Sequence, residues 1–401
     1  MSAVKNKDPN DYVIRLSATP AELDAAAWNA LLAAQDAPTP FMRHEYLAAM
    51  QDSGSATPKT GWTPRFLTAW RGKDLRGACA LYLKDHSYGE YVFDWAWANA
   101  YDQHGLAYYP KGLVAVPFTP VPGSRLLAVD DEARRVLAEG VVALARQEGL
   151  SSMHLLFLSD ADVRACADAG LMARHTVQFH WLNQDWPDFD AFLGSLAQDK
   201  RKKIRQERRK VAEAGVTFRA LRGDEITPAD WDFFYRCYGR TYREHGNPPY
   251  LKRDFFRRMA AQMPAHWLLF IGSRNGKDIA SSLIALSTDA DGAPTVAFGR
   301  YWGAIERVDC LHFEACYYQP LQWCIEHGVS RFEGGAQGEH KMARALMPVK
   351  THSAHWLAHP AFADAIERFL EREGAGIATY LDHLEARSPF RHDAAERTND
   401  E

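Results

Sequence analysis

Two landmarks recur in the same order along this chain, and their recurrence constrains the fold more than any composition figure. Pro64 to Trp70 and Leu75 to Leu83 flank Arg71-Gly72-Lys73-Asp74. Trp267 to Gly272 and Ile279 to Leu286 flank Asn275-Gly276-Lys277-Asp278. Each reads as a β-hairpin, two strand-like runs around a glycine that frees the tight connection. His180-Trp181-Leu182 and His355-Trp356-Leu357 then close the two halves, each in a strand-like segment after a helix-like one. The offset is 204 residues at the hairpins and 175 at the triplets, so the first half carries about 29 extra residues. The surplus falls at His86 to Gly112, an aromatic stretch. Repeats of this length mean duplicated domains rather than a solenoid, whose unit is ~20–50 residues.

Each half reads as strand, two helices, hairpin, further strand, helix, strand, helix, strand. In the first half the opening strand is Tyr12 to Leu16, and the helices are Ala21 to Gln35 and Arg43 to Gln51. That mixed order predicts an α/β (α+β) fold with largely antiparallel sheets flanked by helices. The expected domains are residues 1–185, with the aromatic insertion at about 86–112, and residues 186–401, opened by a polar helix over 189–214. A hydrophobic fraction of 47% with 24% charged residues excludes wholesale disorder. A formal net charge of −4 excludes a generally basic coat, so any polyanion site must be a local patch.

The first residues, Met1 to Asn10, lack the apolar core of an export signal. No apolar run approaches the ~18 residues of a membrane span. The six cysteines form no CxxC pair, which argues against a metal knuckle. Together these features predict a cytoplasmic protein with reduced thiols. His352, His355 and His359 do not read as a metal site, because positions three apart on a strand face opposite sides.

Four segments could carry chemistry. Lys200 to Lys210 holds eight cations and one anion, and Leu193, Leu196, Ile204 and Val211 give the helix an apolar face. Arg201, Lys202, Arg205 and Arg209 are then expected to meet phosphates of a donor; the alternative is a solvated helix balanced by acidic neighbours. Tyr88 to Tyr101 packs six large rings among Glu90, Asp94 and Asn99. It suits a cleft wall in which Tyr88, Glu90, Asp94 and Tyr101 bind an acceptor, or else an aromatic mini-core. Arg300-Tyr301-Trp302-Gly303 ends a strand before a loop and a helix from about Leu311, a geometry that can bind an anion. Pro320 inside that helix should kink it.

Finally, Glu333-Gly334-Gly335-Ala336-Gln337-Gly338-Glu339-His340-Lys341 places three glycines among candidate bases. Glu333, Glu339 and His340 are the catalytic candidates. Gln337, Lys341 and Arg344 are candidates for binding the acceptor, the two cations by holding a carboxylate or phosphate.

Taken together, these stretches resemble the FemAB-like branch of the GNAT acyltransferase superfamily, the "peptidoglycan biosynthesis/recognition" proteins. The resemblance rests on His86 to Trp97, Val114 to Pro120, Gln178-Phe179-His180-Trp181, the Lys/Arg helix, Gly299 to Gly303, Leu311-His312-Phe313-Glu314 and Gly335 to Lys341. It spans about residues 40 to 360. It implies two tandem GNAT-like domains and acyl or aminoacyl transfer to an amine.

In relatives of this kind the donor is an aminoacyl-tRNA and the acceptor a cell-wall precursor peptide. The expectation is therefore an aminoacyltransferase with no bound cofactor, using aminoacyl-tRNA as co-substrate. Acyl-CoA is the alternative donor, and a non-catalytic binding module on a GNAT frame is the alternative of another class. The chain lacks the long helical arm of some relatives, so arm-dependent tRNA contacts do not carry over.

Overall fold

The computed structural model describes residues 11–336 and 338–391. They form two compact units that exchange segments of chain. The first holds residues 11–176, 250–255 and 351–377, and the second holds 177–249, 256–350 and 378–391. The sequence placed everything after 185 in one domain. Residues 250–255 and 351–377 instead pack with the first unit, because long-range contacts decide membership and local pattern does not reveal them.

The first unit contains a small antiparallel sheet in the order Tyr12–Ser17, Phe66–Arg71, Asp74–Cys79, Leu127–Ala128. A second set of strands runs Trp62–Pro64, Leu81–Lys84, Lys111–Val114, Ser152–Leu156, then residues 353–357. The helix Asp131–Gln147 covers this core with Ala133, Leu137, Ala138, Val141 and Ala145, all buried. That spacing puts them on one helical face. Asp130 starts the helix by accepting the Ala133 N–H at 2.8 Å. The two expected helices before the hairpin form as Ala25–Ala33 and His44–Asp52.

In the second unit Val216–Arg222, Trp267–Arg274, Lys277–Thr288 and Pro294–Ala304 form an antiparallel run. Arg331–Ala336 joins in parallel to Pro294–Ala304 and antiparallel to residues 178–182. Gly303 lets the helix Pro228–Glu244 lie against its strand. A Cβ there would sit 2.2 Å from the Cys237 carbonyl oxygen, and no backbone can yield that much. The Thr241 hydroxyl donates to the Trp302 carbonyl across the same contact at 3.0 Å.

Both hairpins form, with two-residue turns, but the shared Gly-Lys-Asp sits in different registers. The first turn is Gly72-Lys73, because Arg71 pairs with Asp74. The second is Asn275-Gly276, because Arg274 pairs with Lys277. Asn275 and Gly276 both have positive φ, as a type I′ turn requires, whereas only Gly72 does in the first. The triplets His180-Trp181-Leu182 and His355-Trp356-Leu357 end strands Met172–Leu182 and Met347–Leu357.

The polar helix expected over 189–214 breaks into Phe189–Ser195 and Gln198–Glu213. Leu196 takes extended backbone at the break and buries its side chain in the core of the unit. Pro320 is accommodated by a wide π turn over Glu314–Tyr318, directly before the helix Gln319–Glu326. A π turn changes which carbonyls need a donor, and proline has none to give.

Candidate functional site

The parallel strands Pro294–Ala304 and Arg331–Ala336 pair over only three residues, Val296–Phe298 with Arg331–Glu333, and then part. A cavity of about 140 Å³ opens where they separate. Its floor is Ile284, Gly299 and Phe332, with Gly334 beside them. At Gly299 a Cβ would lie 3.1 Å from the Phe332 ring, so a side chain there would make the ring give way by a few tenths of an ångström. Ser282 shares a face with Ile284, two residues away on the same strand.

Arg300, Tyr301 and Trp302 form one wall, and the Arg300 guanidinium donates to the Tyr301 hydroxyl at 3.0 Å. The opposite wall comes from the helical segment with His312, Cys316 and Tyr317. His312 packs edge-on against Trp302, ring centroids 5.2 Å apart. Burial, and then the charges of His340, Arg344 and Lys341, push its pKa down to about 4, so it is neutral near pH 7. Burial pushes the Cys316 thiol up to about 12, which keeps it protonated. Lys341 is buried as well, and its ammonium donates to the Gly335 carbonyl at 3.0 Å. Burial lowers its pKa to about 8.

The basic helix Gln198–Glu213 is fastened to this helical segment from behind. Its one interior acid, Glu207, faces inward and accepts from the Arg344 guanidinium at 2.8 Å and from the Tyr318 hydroxyl. Arg208 donates to Glu314 at 3.2 Å and to Gln322 at 2.9 Å. Arg344 also lies 3.7 Å over the Phe313 ring. Arg201, Lys202, Arg205 and Arg209 line the opposite, open face with Gln198 and Gln206. Arg208 does not join them, since it turns inward to Glu314.

The remaining candidates scatter. Glu333 is buried on its strand and pairs with Arg331 at 3.0 Å. Glu339 is exposed, accepts from the Tyr380 hydroxyl at 2.8 Å and from Arg387 at 3.1 Å, and those bonds hold it ionised. His340 is exposed. Gln337 lies outside the described residues. Gly303 serves the helix contact, and Arg344 holds Glu207. The sequence missed Ser282, Ile284, Cys316, Tyr317 and Phe332, and left His312 unassigned. A usable signal existed, since His312 and Cys316 are one helical turn apart and share a face.

The aromatic insertion divides between the two readings offered for it. Trp97, Tyr101 and Tyr108 are buried with Leu357, Ile366 and Leu370 as a mini-core. Tyr88, Phe93 and Trp95 are exposed, with Tyr88 edge-on to Trp95 at 5.1 Å. Glu90 and Asp94 point inward to a buried lysine. Lys111 donates to Glu90 at 2.8 Å, to Ser87 at 2.7 Å and to Asp94. Asp94 also accepts from the Tyr108 hydroxyl at 2.7 Å.

Burial alone would raise Asp94, yet Lys111 and His154 hold it well below the carboxylate range. Burial lifts Glu90 to about 7 against the pull of Lys111. Lys84, directly across from Lys111 in the ladder, is lowered to about 7 by burial. The network continues through His154, whose Nδ1 lies 2.8 Å from the His355 Nδ1.

His154 and His180 are pushed to about 3, chiefly by burial, and His312 to about 4. These groups take up protons on unfolding, not in the native state. Stability is therefore expected to fall as pH drops below 6.5, their unfolded value, and to keep falling until pH 3–4. Each histidine contributes about 1.4 kcal/mol per pH unit in that window. Urea midpoints at pH 7, 6 and 5 check this; constant midpoints would sink it.

Among the described residues no helix is long and apolar enough to cross a membrane, and no group of three His, Cys, Asp or Glu is arranged to hold a metal ion. All six cysteines are unpaired thiols.

Comparison with known proteins places this geometry. A family model described as FemAB-like, peptidoglycan biosynthesis/recognition, matches residues 19–392. No curated protein matches the chain. Among solved structures, FemX is 11% identical, covering 86% of this chain and 98% of that one, at a TM-score of 0.53. L-PGS from Bacillus licheniformis is 11% identical, covering 86% and 97%, at 0.51. A tandem GNAT protein from the clavulanic acid biosynthesis pathway is 13% identical, covering 87% and 99%, at 0.46. The first two likenesses show the fold, a mixed α/β architecture with sheets flanked by helices, as the resemblance implied. With 19–392 matched, the chain belongs to the FemAB-like family of peptidoglycan biosynthesis/recognition proteins.

Proposed function

We propose that the chain is an N-acyltransferase that moves an aminoacyl group from aminoacyl-tRNA to an amine, in keeping with its family. One observation carries the reading. The cavity between the parting strands is walled by a helical segment, and the same segment is hydrogen-bonded to a helix whose outer face is cationic. That face suits a phosphate backbone, and the cavity suits the acyl end of the same donor. The acceptor is an amine-bearing peptide or cell-wall precursor.

In the step itself the acceptor nitrogen attacks the ester carbonyl. A C–N bond forms, the C–O ester bond breaks, and one proton passes from the amine to the leaving ribose oxygen. Lys341, whose side chain packs on the cavity-lining Gly334, stabilises the oxyanion. Neutral His312 relays the proton. A neutral imidazole can accept a proton at one ring nitrogen while it donates from the other. Positioning by the cavity does the rest.

Acyl-CoA remains the second reading on a specific observation. A neighbouring cavity of about 400 Å³ shares Trp302 and His312 with the first and could take a long carrier arm.

The test is binding of bulk aminoacyl-tRNA, with deacylated tRNA and acetyl-CoA alongside, over a salt series. A log–log slope of about −0.7 per phosphate is expected for single-stranded contacts. Changing Arg201, Lys202, Arg205 and Arg209 together to alanine should flatten the slope by up to about 3. Saturable acetyl-CoA binding without tRNA affinity would replace the donor. Binding with no donor ever consumed would favour a binding module.

A further inference from the structure

The strand Tyr12–Ser17 is the outermost of the small sheet in the first unit and pairs on one side only, with Phe66–Arg71. Among the described residues no strand lies along its other side. An open edge presents a row of backbone donors and acceptors to any second strand. Proteins often spoil such an edge with a proline or a bulge. Neither interrupts Tyr12-Val13-Ile14-Arg15-Leu16-Ser17, which keeps one register over its whole length.

The edge is also apolar. Ile14 and Leu16, alternate residues and so on one face, are 39% and 43% exposed. The helix Asp131–Gln147 passes that face at Gly140, where a Cβ would lie 3.6 Å from the Ile14 Cδ1. It flanks the strand there and leaves the outer side of Ile14 open.

The charges on the edge say what fits along it. Asp11 and Arg15 are both exposed, and neither has an ion-pair partner among the described residues. Arg15 is held 4.6 Å over the Trp70 ring. Four residues of extended chain span about 13 Å, so the two cannot reach one another. Two antiparallel copies of the strand, related by a two-fold axis at Val13, set Asp11 of each opposite Arg15 of the other. Residues directly opposite share a face, so both pairs can close. Tyr12 then meets Ile14, and Val13 meets Val13. Moving the axis to Ile14 loses both ion pairs, and moving it to Arg15 sets like charges together.

We propose that Tyr12–Ser17 is a self-association edge, along which a second copy of this chain adds the same strand, antiparallel, in the register that pairs Asp11 with Arg15. The interface is isologous, the arrangement of a two-fold dimer. It lies within the first unit and is independent of the acyl-transfer reading.

Sedimentation velocity of the full chain over a concentration series is expected to show a reversible monomer–dimer equilibrium. Arg15→Asp alone, or Asp11→Arg alone, creates two like-charge pairs in that register. Each should raise the dimer dissociation constant about tenfold or more. Mixed in equal amounts, the two variants should recover a dimer, because one supplies two acids and the other two arginines. That recovery also shows that both variants fold. Ile14→Lys, a charge set on the open edge, should abolish the dimer. A chain that stays monomeric at every concentration overturns the inference. So does a dimer indifferent to both charge variants, or a mixture that recovers nothing while the unaltered chain dimerises.

Discussion

Replacing Lys111 with methionine is expected to destabilise the first unit by about 3–5 kcal/mol, enough to unfold a domain of ordinary stability. The side chain is fully buried and is the shared cation of two buried carboxyl groups, Glu90 and Asp94. Methionine fills most of the volume but leaves both acids without their cation. Breaking a buried pair from one side costs far more than the pair ever contributed, because the survivor keeps its desolvation cost.

The two acids are not equivalent. Asp94 is the ionised partner, and Glu90, lifted to about 7, is only partly ionised at neutral pH. Glu90→Gln should therefore cost much less than Lys111→Met. The sign of the pH dependence follows. In the methionine variant both acids can be protonated, so its deficit should shrink as pH falls. Urea denaturation of both variants at pH 7.5 and 5.5 reads all of this. A Lys111→Met cost below about 1 kcal/mol would show that the cluster contributes little.

The second large effect concerns chemistry. Lys341→Met is expected to lower kcat by about 10²–10³ with little change in KM, the signature of a lost oxyanion donor. Lys341→Arg should restore part of it, since charge returns in a different shape. The pH profile separates this from a merely structural role. The attacking amine must be neutral, which gives a rising limb, and Lys341 must be protonated, which gives a falling limb through about pH 8. In the methionine variant the falling limb should vanish. A variant that keeps the falling limb, or full kcat, removes Lys341 from the mechanism.

What was legible in the sequence was what local pattern decides. The two hairpins and the triplets announced themselves through alternation and turn residues, and the cationic helix through its charge. The one-residue slip of Gly-Lys-Asp was not legible, because register is chosen by strand partners and not by the turn sequence alone. The break at Leu196 was hidden in a run with good helical periodicity and is decided by where a single leucine finds core.

The site was harder still. Pairing of residues 296–298 with 331–333, and the parting that follows, is a contact across more than thirty residues with no motif to mark it. In the glycine-rich segment, residue type points to Glu339 and His340 as bases, but both are exposed. The lysine that is buried, Lys341, was noted only as a binding candidate. Glu207, the one anion within the run Lys200 to Lys210, helps to fasten the helix down, and charge pattern alone does not reveal that.

That fastening has a kinetic consequence. In a chain of net charge −4, an anchored cationic face attracts a polyanion toward itself. Random collisions are thus sorted before any contact forms. Approaches toward the helix are drawn in already oriented. On the proposed reading, the helix would govern the frequency and angle of productive encounters, and the cavity would set the lifetime of the complex.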